Sequence, residues 1–282
     1  MLKMILKGVV IGVANIIPGV SGGTMAVSMG IYDKIIHAAT HLLSEFKKSM
    51  KILIPIVIGA ALGLVVVARL IQMMFDRIPF QTNLLFIGLI IGGLPAMTKK
   101  VKGQSIRLSH ILSCVLFFAL VVGLAAIGES EGAAADLTIN AVNVLKLFGV
   151  GIIASATMVI PGVSGSMILM IMGYYNPILG EINRFIDNLI SFNIPGLIDG
   201  CAILVPFGIG VVVGIFAIAK IIEIIFTKFP YIAYWAIIGL IVASPFAIVM
   251  MNNMGTITVV TVITGIVALA AGIFAAMKLG EE

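Results

Sequence analysis

Charge is what this chain has least of. Only 10% of its 282 residues are charged and 61% are hydrophobic, with a mean hydropathy of +1.24. That composition lies outside the range of soluble globular domains. Cysteine is nearly absent as well. Cys114 and Cys201 sit inside apolar runs, which excludes a disulfide framework and a cysteine metal site; both read as small buried residues. The alternation of a membrane barrel is missing too, because the apolar runs are continuous. What remains is a polytopic helical membrane protein. The net charge of +5 sits in short loops, where cations encode topology, so no nucleic-acid partner is expected. No small-x-small cleavage site follows Lys3 and Lys7, and the first apolar stretch is read as part of the protein rather than a signal peptide.

What the chain does have is a phrase that occurs twice. Residues 17–22 read Ile-Pro-Gly-Val-Ser-Gly, and residues 160–165 read the same. At the same offset, Lys3 falls on Lys146, Gly8 on Gly151, Met29 on Met172, Gly30 on Gly173 and Tyr32 on Tyr175. Further along, Pro55, Gly59, Gly63, Arg69, Phe75, Arg77, Pro79 and Gly88 match Pro206, Gly210, Gly214, Lys220, Phe226, Lys228, Pro230 and Gly239. The offset grows between about 176 and 200, where the second half has extra residues. This is an internal duplication.

Apolar runs fall at 4–31, 52–75, 82–97, 108–127, 145–175, 201–226, 232–250 and 256–277. The runs 4–31 and 145–175 carry the Pro-Gly turn near their middles. Half-helices over 4–17 and 23–31 would each be about 14–20 Å long, enough to reach the middle of a core about 30 Å thick and return. Charge favours re-entrant hairpins over spans. With both hairpins re-entrant, Lys3, Lys7, Lys34, Lys47, Lys48, Lys51, Lys99, Lys100, Lys102, Arg107, Lys228 and Lys278 lie on the cytoplasmic side. Glu129, Glu131 and Asp136 then lie outside, a strong positive-inside pattern.

The expected architecture is therefore an all-α polytopic membrane protein built as an inverted repeat. Each half has one re-entrant helical hairpin plus three transmembrane helices. Residues 1–127 are the first repeat, 128–143 an extracytoplasmic acidic linker, and 144–282 the second, inverted repeat. Both termini are cytoplasmic and the chain sits in the cytoplasmic membrane. Asp33–Met50 reads as an amphipathic surface helix, with Asn176–Asp199 as its outer counterpart. His37, His41 and Glu45 share one face of that helix. Read as a solvated face, they leave no metal site expected and no cofactor.

The turn has its own chemistry. Pro18 ends a half-helix. Gly19, Gly22 and Gly23 allow a tight turn and close approach of another group. Ser21 is a natural N-cap. The free N–H groups of the next helical turn would bind a phosphate or another anion. Pro161, Gly162, Ser164, Gly165 and Ser166 supply the same set again. Asn15, Thr24 and Thr157 flank the turns and offer further hydrogen bonds, either to a ligand or to neighbouring helices. Arg69 and Lys220 occupy one repeat position near helix ends, where each either meets the anion or snorkels to headgroups. Glu223 is the carboxylate set deepest in an apolar run; it either pairs with Lys220 or carries a coupling proton.

Gly-Val-Ala-Asn-Ile-Ile-Pro-Gly-Val-Ser-Gly-Gly-Thr at residues 12–24, followed by Gly30-Ile-Tyr-Asp33, resembles the prokaryotic polyprenyl-phosphate (undecaprenyl-phosphate) translocase family, formerly a membrane domain of unknown function. The resemblance runs over essentially the whole chain. It implies a flippase that returns the monophosphate lipid carrier of envelope synthesis from the outer to the cytoplasmic leaflet. Its partners would be polyprenyl phosphate and membrane lipids, and assembly as a homo-oligomer is left open. A weaker similarity is to undecaprenyl-pyrophosphate phosphatases, which carry Pro-Gly-x-Ser-Arg-Ser-Gly. Here Gly22 and Gly165 stand at the position of that Arg, and no Glu-x-x-x-Glu pair lies in a membrane helix. Hydrolysis needs such groups, so a transporter is expected rather than an enzyme. The alternatives are a lipid-pyrophosphate phosphatase and an anion channel or small-solute transporter.

Overall fold

The computed structural model describes residues 1–15, 20–64, 68–127 and 133–280, apart from the side chains of Ala68, Arg69 and Gln72. These residues form helices and no strand. The chain divides into two compact bodies. One comprises Met1–Ile127, Ile160–Val163 and Ala219–Glu282; the other comprises Gly128–Val159 and Ser164–Ile218.

The first body opens with α1 (Leu2–Ala14) and α2 (Gly22–Ser28), the arms of the first expected hairpin. Helix α2 is shorter than the sequence suggests because Gly30 stops it. At φ +68°, Gly30 lets its own N–H reach Val27 O at 2.9 Å and that of Ile31 reach Ala26 O at 3.0 Å. Two of the last free carbonyls are thereby satisfied. Then come α3 (Tyr32–Thr40), α4 (Phe46–Leu62) and α5 (Ala68–Arg77). The single surface helix expected over 33–50 is thus broken. Residues 41–45 form a turn, and the second part already belongs to α4. The expected span 52–75 is likewise divided between α4 and α5, and residues 65–67 are outside the described set.

Two long helices centre the first body: α6 (Pro79–Val101) and, from the second repeat, α12 (Pro230–Met251). Both begin with Pro at the first helical turn, where its missing N–H costs nothing. Helix α7 (Leu108–Ile127) packs on α12, and α13 (Val259–Gly280) packs on α6. Each repeat's last helix therefore lies against the other repeat's preceding one. The two pairings share a local device. A Cβ on Gly88 would strike Leu269 O, and one on Gly239 would strike Cys114 O. Small residues let helices approach this closely where lipid gives no hydrophobic drive between them. Between α7 and α12, Val121, Ala125, Leu240, Ala243 and Ala247 form a buried core.

The second body holds α8 (Ala141–Val159), α9 (Gly165–Ile171), α10 (Tyr175–Ile190) and most of α11 (Ile194–Lys228). Its local geometry repeats the first body's, position by position. Gly8 lies against Ile56 O as Gly151 lies against Phe207 O. Gly59 lies against Ile5 O as Gly210 lies against Phe148 O. Gly63 and Gly214 face Val9 and Ile152 in turn. Gly173, at φ +75°, closes α9 as Gly30 closes α2, with Tyr174 N–H on Leu169 O at 2.8 Å. The extra residues lengthen α10 to 16 residues, against 9 in α3.

Six described helices are long and apolar enough to cross a membrane: α6, α7, α8, α11, α12 and α13. Five fall where the sequence placed spans. The sixth, α8, was expected as a half-helix; its 19 residues extend about 28 Å. Cys114 is half-buried, while Cys201 is exposed on its helix rather than buried as expected.

Candidate functional site

The first Ser-Gly turn is held by its own polar side chains. Ser21 is extended, caps α2, and accepts the Gly23 N–H on its Oγ at 3.2 Å. Asn15, just past the end of α1, accepts the Gly22 N–H on Oδ1 at 3.0 Å. A Cβ on Gly22 would stand only 2.8 Å from Asn15 Oδ1 and 2.9 Å from its Nδ2, so glycine is what lets the amide approach. Ser21 and Thr24 are buried. Pro18 and Gly19 lie outside the described residues. The turn amides are thus not all free for a ligand, as the phrase alone suggests. Two of them have acceptors within the chain, because buried N–H groups are costly to leave unpaired.

Thr24 carries the next link. Its Oγ1 accepts the N–H of Gly162 at 2.7 Å. Gly162 belongs to the second Pro-Gly turn and has φ +79°, a conformation that suits glycine. The structure thus joins the two copies of the phrase, within the first body, through a side chain that only the first copy has. Pro161 is buried beside it. Past that turn, the Ser164 and Ser166 hydroxyls pair at 2.8 Å, and Gly165 packs on Ala154 O and Met158. That contact repeats the one Gly22 makes with Ile11 and Asn15. Thr157 donates to Ala154 O at 2.8 Å, so its proton is spent on its own helix.

Lys7 lies not in a loop, as its place near the N-terminus suggests, but within α1 with only 2% of its surface exposed. Its Nζ donates to Met29 O at 3.0 Å. Met29 caps the C-terminal end of α2, where carbonyls gather negative potential that suits a cation. The available signal was the repeat itself, since Lys7 falls on Val150.

Lys220 and Glu223 join a different group. Lys220 Nζ donates to Glu223 Oε2 at 2.7 Å. The other oxygen, Oε1, faces Nδ1 of His41 at 3.3 Å and Nδ1 of His37 at 3.8 Å. Glu45 points elsewhere and pairs with Lys48. Alongside runs a cleft of about 250 Å³ whose walls include Asp33, His37, Glu223, Phe226 and Tyr234. Lys100 Nζ lies 3.7 Å from Asp33 Oδ2. Burial, with the Asp33 carboxylate beside it, pushes the Tyr32 phenol up and keeps it neutral. The side chain of Arg69 lies outside the described residues, though its backbone is in the first turn of α5.

Known proteins bear on what such a fold does. The chain is 32% identical over 247 residues to a polyprenyl-phosphate transporter of Staphylococcus aureus (strain NCTC 8325 / PS 47), covering 86% of this chain and 84% of that one. It is 29% identical over 217 residues to a polyprenyl-phosphate transporter of Vibrio cholerae serotype O1 (strain ATCC 39315 / El Tor Inaba N16961), covering 72% and 66%. No solved structure matches it. Residues 11–265, which include both copies of the turn and the Lys220–Glu223 pair, match the model of one family. The chain therefore belongs to the VCA0040-like family, described as undecaprenyl phosphate translocase-like.

Proposed function

We propose that this protein carries polyprenyl phosphate, of the undecaprenyl type, across the cytoplasmic membrane and so returns the lipid carrier for another round of envelope synthesis. The observation that carries this reading is the doubled Ser-Gly turn with its bond from Gly162 to Thr24. Burying a bare phosphate is prohibitive, and these turns offer amides and hydroxyls to replace its water. Asn15 Oδ1, Ser21 Oγ and Thr24 Oγ1 now hold turn amides. A phosphate oxygen is a stronger acceptor and would exchange with them as the headgroup enters. The repeat offers Ser164, Gly165 and Ser166 as equivalent donors. Pro161 and Gly162 shape the second turn, Pro18 and Gly19 stand at the same positions of the first phrase, and Arg69 would meet the phosphate near the membrane surface. The prenyl tail would remain in lipid.

The same reading takes the halves 1–127 and 144–282 as inverted repeats around the linker 128–143. α1–α2 and α8–α9 would be re-entrant, and both termini cytoplasmic. Its support is the charge pattern, which survives the removal of Lys7 from the loops, and the position-by-position match of the hairpin contacts. Rocking one repeat against the other would give alternating access. With Gly at positions 22 and 165, the turns keep a cradle for phosphate without the Arg that would assist its transfer, in line with transport rather than hydrolysis.

The test is translocation of fluorescent polyprenyl phosphate in vesicles reconstituted with the protein. Wild type should move lipid between leaflets without releasing phosphate. Ser21→Ala combined with Thr24→Val should slow this by about tenfold or more, since each lost charge-assisted bond is worth about 1.5–3 kcal/mol. Lipid movement at the empty-vesicle rate, or an unaffected double variant, would refute the proposal.

A further inference from the structure

His37 lies in the last turn of α3 and His41 caps its C-terminal end, with the His41 N–H on His37 O at 3.0 Å, so the two share a face. Their rings lie 4.1 Å apart, tilted by 54°. Glu223, near the end of α11, brings its Oε1 to both. One ligand atom from each of the three residues lies within 4.8 Å of the others. We propose that His37, His41 and Glu223 form a binding site for a zinc-class divalent metal ion, tying α3 to α11.

The donor set fits that chemistry. Imidazole nitrogen with one carboxylate oxygen is a zinc-type set, and three protein ligands leave a fourth position for water. Ligand atoms about 2.1 Å from a tetrahedral ion stand about 3.4 Å from one another. The His41–Glu223 edge, at 3.3 Å, already has that length. The His37–Glu223 edge, at 3.8 Å, needs a small rotation of an exposed ring. Glu223 also divides its oxygens suitably: Oε2 takes Lys220 while Oε1 faces the imidazoles. The side chains are 57%, 33% and 20% exposed, so an ion in solution has access. Lys220 opposes binding through charge, and its removal should strengthen it.

The consequence is mechanical. Helix α3 follows α2 directly through the Gly30 turn, and Ser21 caps the start of α2. An ion shared by α3 and α11 would therefore restrain the short helix that carries the first turn.

The test is zinc titration by calorimetry, with cobalt absorption to report coordination, on full-length protein purified without a polyhistidine tag. One ion per chain and a tetrahedral cobalt spectrum are expected. His41→Ala and Glu223→Gln should each weaken binding by about tenfold or more, and Lys220→Met should tighten it. Thermal unfolding of each metal-free variant should match that of metal-free wild type, which separates lost ligands from lost fold. Absence of saturable zinc uptake, or unchanged affinity in the His37→Ala/His41→Ala variant, would overturn the site.

Discussion

The described residues around the two copies of the turn share a backbone and differ in chemistry. Each is stopped by a left-handed glycine, Gly30 or Gly173, and each preceding arm packs through glycines on the same kind of carbonyl. The polar groups, however, differ between the copies. Lys7, Asn15 and Thr24 of the first correspond to Val150, Met158 and Met167. The second copy answers with hydroxyls at other positions: Ser155 for Gly12, Thr157 for Ala14 and Ser166 for Gly23. Duplication has kept the glycine contacts between helices, while the hydrogen-bonding groups have become specialised. A transporter that must bind at one point and let go at another has a use for such inequality, because identical donors throughout would hold the headgroup too evenly.

The comparison breaks most visibly at its shared scaffold. Gly59→Leu and Gly210→Leu each drive a side chain into a backbone carbonyl that cannot withdraw. Each should destabilise the protein by about 3 kcal/mol, measured as thermal unfolding in detergent. A marked difference between the two variants would mean that the arms are not packed alike.

Chemistry should then separate what packing equates. Asn15→Met gives the first copy the residue of the second and strands the buried Gly22 N–H, at about 1–3 kcal/mol. Translocation should fall by about tenfold with it. The reciprocal Met158→Asn should leave translocation within about twofold, or about 0.4 kcal/mol. Thr24→Ser should keep the acceptor for Gly162 and most activity, whereas Thr24→Val should not. Equal sensitivity at Asn15 and Met158 would end the claim of specialisation.

The smallest effect lies in the linker. Asp136 accepts the Thr138 backbone N–H at 2.9 Å and its hydroxyl at 2.8 Å. The backbone bond first, then the hydroxyl, hold the carboxyl below its usual range. A carboxylate depressed in the folded state contributes order above its unfolded pKa and loses it as pH falls through the folded value. Amide protection around 136–143, relative to the intrinsic exchange rate at each pH, should therefore fall only at acid pH, and Asp136→Asn should remove that dependence. Protection in the membrane helices should be the same at acid and neutral pH.

Much of this was legible from residues alone. The duplicated phrase marked both turns, and the paired glycines marked the helix contacts that repeat. The long apolar runs located five of the six span-length helices among the described residues. Legibility failed where the third dimension decides. Lys7 reads as a loop cation by its place near the N-terminus, yet the Met29 carbonyl gives it a buried partner 22 residues away. His37 and His41 looked toward Glu45 along one helix, but that helix stops at Thr40. Their carboxylate comes instead from Glu223, far along the chain. The turn amides looked free because a sequence does not reveal that Asn15 folds back onto Gly22. A periodic pattern reports which faces are apolar; it does not report which polar atoms meet across helices.

Photo-crosslinking with a polyprenyl phosphate that carries the reactive group at its headgroup addresses the binding claim most directly. The account predicts adducts on residues 20–24 and on residues 160–163, both abolished by excess unlabelled polyprenyl phosphate and both reduced in Ser21→Ala. Adducts confined to outward-facing helix surfaces, with neither turn labelled, would contradict it.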